Sequence, residues 1–134
     1  MREIKFRGKI ISGEWVFGNL TILKTKYQNI DSGYYISNSA GLPFAYKIIP
    51  ETMGQYTGVK DKNGVEIYEG DIVKLCRSYG YGWLSKGTVA QVKWDNNELC
   101  YFLFNNFRLT KNKKVEIIGN IYENPELLEV KNES

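Results

Sequence analysis

Histidine is missing from this 134-residue sequence altogether. Its absence removes the commonest general base near neutral pH and the commonest metal ligand together. Cysteine is scarce, and Cys76 and Cys100 alone are too few for a structural zinc site. Both fall in predicted strands among apolar neighbours, which suits buried, reduced, space-filling thiols. Arg77 adjoins Cys76, but alternation along a strand sends the two side chains to opposite faces. Long apolar runs, leader patterns and lipidation motifs are lacking too, so the expectation is a soluble cytoplasmic protein with no membrane partner. Gly80-x-Gly82 completes no dinucleotide fingerprint, and no Walker lysine pattern exists. The sequence therefore predicts no catalytic residue, no cofactor and no metal. A net charge of +3 neither demands nucleic acid nor excludes it.

What is present is glycine punctuation and aromatic strand-forming sequence. Aromatics make up 14% of the chain, with ten tyrosines, which favours strands over helices. Gly54, Gly58, Gly64 and Gly70 mark the densest stretch, Ile49–Val73. Asn63-Gly64 predicts a type I′ turn driving Gln55–Val59 back on Val65–Tyr68. Before it, Ile4–Ile10 alternates apolar residues with Lys5, Arg7 and Lys9, a half-buried strand that turns at Ser12-Gly13 into Trp15–Leu23. Tyr34–Ser37 and Tyr46–Ile49 are further strands, the latter ended by Pro50. After it come Asp71–Cys76, Gly87–Trp94, a turn at Asp95-Asn96-Asn97, Leu99–Phe104, a further candidate around Phe107 and Leu109, and Val115–Tyr122. Gly87–Trp94 reads as one strand with Thr88, Ala90, Val92 and Trp94 on one face. Asn124 with Pro125 predicts one short C-terminal helical turn. The expected core is Trp15, Phe17, Tyr56, Ile72, Val92, Trp94 and Ile121.

Several of these stretches share a pattern with a known family. Glu51-Thr52, Gln55-Tyr56-Thr57-Gly58, Asp61-Lys62-Asn63-Gly64 and Ile67–Val73 resemble the YopX family of phage and prophage proteins. So do Ile4-Lys5-Phe6-Arg7-Gly8 and Ile118–Leu128. Met53 and Val59 stand where that pattern has Val and Leu, and residues 78–112 carry little of it. The resemblance implies a phage context and no mechanism. Residues 68–122 are also similar, at the level of fold alone, to SH3-like small barrels. The expected architecture is a single mainly-β domain over residues 1–134. N-terminal strands (1–50) and a central hairpin region (51–73) pack on a small, partly open barrel-like part (68–122), followed by a tail (123–134).

Four groups of side chains invite a functional reading. Glu51, Asp61, Glu66, Glu69 and Asp71 could supply paired acids, but turn acids that bond nearby backbone N–H groups are the commoner arrangement. Lys5, Arg7 and Lys9 offer phosphate contacts, or protect an edge strand from foreign pairing. Lys111, Lys113 and Lys114 are a further phosphate candidate, or an ordinary solvated turn. Tyr79–Gly87 is the richest: Tyr79, Tyr81 and Trp83 beside Arg77 and Lys86 can meet a protein surface, stack on bases, or fold back on the domain. The leading expectation is a non-enzymatic module that binds a host or phage protein, or assembles with itself as a homo-oligomer. The alternative is a nucleic-acid binder using the same loop with Lys111, Lys113 and Lys114. An enzyme built on the carboxylates is the third reading.

Overall fold

The computed structural model describes residues 3–38, 45–80, 85–104 and 107–129. The protein is mainly β, and its antiparallel sheets are not closed into a barrel. The chain divides into two compact units, Met1–Tyr56 and Thr57–Ser134.

In the first unit, β1 (Phe6–Lys9), β2 (Trp15–Leu23), β3 (Gly33–Ser37) and β4 (Ala45–Ile48) pair in sequence order. The β1–β2 loop is held by Gly13 N–H donating to Ile10 O and Ile10 N–H donating to Glu14 O, both at 2.9 Å. Gly13, at φ 97°, supplies the left-handed residue that this three-residue loop needs. Pro50 opens a 3-10 turn, Pro50–Thr52, where Thr52 Oγ1 donates to Ile49 O at 2.6 Å and accepts the Lys9 N–H at 2.8 Å.

β1 is not an edge. Gly54 and Gln55, opening β5 (Gly54–Lys60), pair with Arg7 and Phe6 on the side away from β2. The cations of β1 therefore do not guard an exposed ladder. Arg7 is buried, with its guanidinium 4.5 Å from the Trp15 ring centroid, and Lys9 Nζ lies 5.7 Å from the same ring. Arg7 pairs with Phe17 and Lys9 with Trp15 in the ladder, so these cations and rings share a face. On β2, Val16, Gly18 and Leu20 are half-buried while Phe17, Asn19 and Thr21 are exposed. Phe17, opposite buried Arg7 and on the same face as half-buried Trp15, is nevertheless exposed, against its expected place in the core.

The second unit continues through β5, β6 (Glu66–Tyr68), β7 (Asp71–Leu75), β8 (Val89–Gln91), β9 (Lys93–Asp95), β10 (Cys100–Phe104), β11 (Phe107–Arg108) and β12 (Val115–Asn120). Two three-stranded sheets form, in the orders β12-β7-β8 and β11-β10-β9. Val59, Ile67, Val73, Leu75, Val92 and Val115 are at the centre of the core. Burying each such side chain contributes about 1.5–3 kcal/mol.

The predicted hairpin around Gly64 forms, but its turn is of another type. Among the described non-glycine residues only Gln28 and Leu99 have positive φ, so Asn63 is not left-handed and the loop is not I′. Gly64 N–H donates to Asp61 O and Asp61 N–H to Val65 O, the same three-residue loop as at Gly13. The buried Asp61 carboxylate decides this, its Oδ1 accepting the N–H groups of Asn63 (2.8 Å) and Val65 (3.0 Å).

The stretch read as one strand, Gly87–Trp94, is broken at Val92. Its N–H donates to Asp71 O and its carbonyl accepts the Gly70 N–H, so the chain leaves one sheet there and enters the other. Ala90 and Val92 are buried, but past the bend Trp94 is exposed, another correction to the expected core. Tyr56, Ile72 and Val92 are buried as expected, and Trp15 and Ile121 are half-buried. The C-terminal turn, Pro125–Leu128, is 3-10, and Asn124 does not cap it with its side chain. Asn124 Oδ1 instead accepts the Asn120 N–H at 3.2 Å.

Two turn positions should shift stability in opposite directions. Gly70 has φ 95°, and a Cβ there would lie 3.1 Å from the Tyr122 ring, so Gly70→Ala should cost about 2 kcal/mol. Leu99 holds φ 55° with its side chain exposed, so Leu99→Gly should gain up to about 1 kcal/mol. Urea midpoints of the two variants against the parent read both effects.

Candidate functional site

The residues with the clearest chemical potential are largely engaged by the backbone. Asp61 Oδ2 accepts the Ile117 N–H at 3.1 Å, in addition to the two N–H groups on Oδ1. Asp71, also buried, accepts the Tyr68 N–H at 2.7 Å. Glu66 accepts the Tyr68 hydroxyl at 3.1 Å. Glu51 lies in the first unit, on the Pro50–Thr52 turn. Asn120 Oδ1 accepts the N–H groups of Tyr122 and Glu123, both at 3.0 Å. Among the described residues, no group of three or more His, Cys, Asp or Glu side chains is placed to hold a metal. Cys76 and Cys100 are half-buried free thiols, more accessible than expected, because one lies just past the end of β7 and the other begins β10.

Rings and cations gather elsewhere in the second unit. Beyond β7 the ladder continues for one bond, Cys76 N–H to Lys114 O at 2.9 Å, which brings residues 77–80 beside the turn before β12. Tyr79 spans the two segments: its hydroxyl donates to Asn112 O at 3.4 Å and accepts the Lys114 N–H. Its half-buried ring packs on the core and lies 5.5 Å from Phe107, centroid to centroid. The Arg77 guanidinium sits 5.7 Å from the Tyr79 ring and Lys113 Nζ 4.8 Å from the Phe107 ring, both within cation–π reach. A row of cation, ring, ring and cation results.

Arg77, Lys86, Lys111 and Lys114 are exposed, and Lys113 is half-buried. Lys86 N–H donates to Ser78 Oγ at 3.3 Å, drawing the ends of the intervening segment together. Tyr81 and Trp83 lie outside the described residues. The structure thus brings Arg77, Tyr79, Lys113 and Lys114 together and adds Phe107, which the sequence did not single out. Phe107 is 28 residues beyond Tyr79 and carries no local motif. Its proximity to Tyr79 follows from the packing of both rings against the same core, on segments of different sheets.

The family model of the YopX protein matches residues 5–129. The chain belongs to the YopX family. No curated protein matches this YopX chain. The crystal structure of protein EF1440 from Enterococcus faecalis is similar in fold, with a TM-score of 0.54 at 24% identity, covering 96% of this chain and 99% of that one. The YopX match spans Arg7, Thr52, Asp61, Asp71 and Asn120, which are buried polar residues among those described, and the Tyr79 row alike. Thr52, Asp61, Asp71 and Asn120 accept backbone N–H groups. No helix among the described residues is long and apolar enough to cross a membrane.

The Tyr79 hydroxyl should therefore matter to stability. Tyr79→Phe is expected to cost about 1 kcal/mol by leaving the Lys114 N–H without its acceptor. Tyr79→Ala should cost about 3 kcal/mol through lost packing. Chemical denaturation of both variants checks this, and a Phe variant as stable as the parent would show that the hydroxyl holds nothing.

Proposed function

We propose that this YopX protein is a non-enzymatic phage or prophage accessory module that binds a protein in the bacterial cytoplasm. The partner is a host or phage protein, or a second copy of the chain. Its contact face is the segment 77–87, with Arg77 and Lys86 exposed, Tyr81 and Trp83 in the same stretch, and the Lys111–Lys114 turn alongside. The observation that carries this reading is the row Arg77–Tyr79–Phe107–Lys113, which concentrates cations and rings at one place. Tyr79 serves there as the anchor beneath the face, fixing Arg77 and the basic turn relative to one another. Arg and aromatic groups are the types that dominate protein interfaces, and the cations favour an acidic partner surface.

The same row supports the alternative, since rings flanked by cations also suit single-stranded nucleic acid. Three measurements separate the readings. Light scattering after size exclusion reports self-assembly. Affinity capture from host cells, with the parent and with Arg77→Glu/Lys86→Glu, reports a protein partner. Fluorescence titration with random oligonucleotides at low and high salt reports nucleic acid. The expected outcome is assembly or capture that the double charge reversal reduces at least about tenfold, with no saturable oligonucleotide response. Saturable, salt-sensitive oligonucleotide binding lost in the double variant would overturn the protein-binding reading in favour of nucleic acid.

A further inference from the structure

A second convergence of cations lies away from the rings. Lys62, Lys74 and Lys86 line a pocket of about 220 Å³ in the second unit, together with Leu75, Cys76, Gly87 and Glu116. Strand geometry sets most of it. Glu116 stands opposite Lys74 across the β12–β7 ladder, and Lys62 is held to β12 by its N–H bond to Val115 O at 2.9 Å. Glu116 Oε1 takes ion pairs from both Lys62 (3.7 Å) and Lys74 (3.6 Å). Three ammonium-bearing side chains against one carboxylate leave the lining at +3 − 1 = +2. Isolated surface ion pairs contribute little, but like charges converging on one concavity add their fields at a single point.

We propose that this pocket binds a phosphate group, as free phosphate or as a phosphate monoester. The phosphate dianion matches the +2 excess of the lining, whereas a carboxylate would leave half of it uncompensated. Lys62, Lys74 and Lys86 hold the anion, and Glu116 is the internal competitor whose ion pairs the ligand replaces. Lys86 also belongs to the protein-contact face, but Lys62, Lys74 and Glu116 lie outside it. The failure of either reading leaves the other standing.

The two cysteines provide the measurement. Cys76 lines the pocket, and Cys100, on β10, is not among its lining residues. Labelling of each by neutral N-ethylmaleimide is followed by mass spectrometry while phosphate, glycerol phosphate or acetate replaces chloride at constant ionic strength. Phosphate should slow the labelling of Cys76 saturably and leave Cys100 unchanged, and acetate should do neither. Equal protection by glycerol phosphate identifies a monoester as an accepted ligand, and weaker protection identifies free phosphate. Lys74→Gln should weaken the protection about fivefold, and Glu116→Gln should strengthen it by about the same factor. Glu98→Gln makes the same change in net charge but pairs with Arg108, outside the pocket lining, and should have no effect. The proposal is overturned by unprotected Cys76 in the parent protein, by equal protection of Cys100, or by Glu98→Gln acting like Glu116→Gln.

Discussion

The carboxylate of Asp61 joins the β5–β6 loop to β12 in the second unit. Oδ1 gathers the N–H groups of Asn63 and Val65 inside the β5–β6 loop, and Oδ2 reaches the Ile117 N–H on β12. The carboxylate is buried and its three hydrogen bonds are part-buried, so each one lost with it costs on the order of 1 kcal/mol. A second carboxylate repeats the device one turn later, where Asp71 receives the Tyr68 N–H while its own carbonyl receives Val92. Strand β12 then closes on Asn120 and Asn124, each accepting from the backbone near the other. The described bends at Asp61, Asp71, Asp95 and Asn120 are set by short polar side chains that bond the backbone.

Asp61, Gly64, Gly70, Asp71 and Asn120 sit where the backbone turns. At Gly119, a Cβ would come within 2.6 Å of Asn124 Oδ1, so a methyl group there requires the Asn124 side chain to shift. These positions have little latitude, and Asp61 and Asp71 have backbone partners that occupy their oxygens. In the neighbouring segment, Ser78 Oγ and the Tyr79 hydroxyl also accept backbone N–H groups.

Most strands were legible because alternation and turn residues are local signals. The two hairpins closed by Gly13 and Gly64 followed from the chain alone. The type of the second turn did not, since Asp61 selects it through bonds that depend partly on β12. Arg7 and Phe17 were misplaced because periodicity marks a face without saying what covers it. Trp94 was misplaced because the break at Val92 arises from bonds to Gly70 and Asp71, some twenty residues earlier. Of the candidate sites, the Arg77–Lys86 segment was legible from composition. The place of Tyr79 beside Lys114 and the Lys62–Lys74–Glu116 pocket come from the β7–β12 pairing, and the Tyr79–Phe107 contact from packing on a shared core; no local pattern encodes either.

Native-state hydrogen exchange on the parent and on Asp61→Ala tests the central claim most directly. Loss of the carboxylate should speed exchange at Asn63, Val65 and Ile117 together. The Tyr68 N–H, held by Asp71, should stay comparatively slow. If Ile117 exchanges at its parental rate in the variant, Asp61 does not join the hairpin to the last strand, and the account is contradicted.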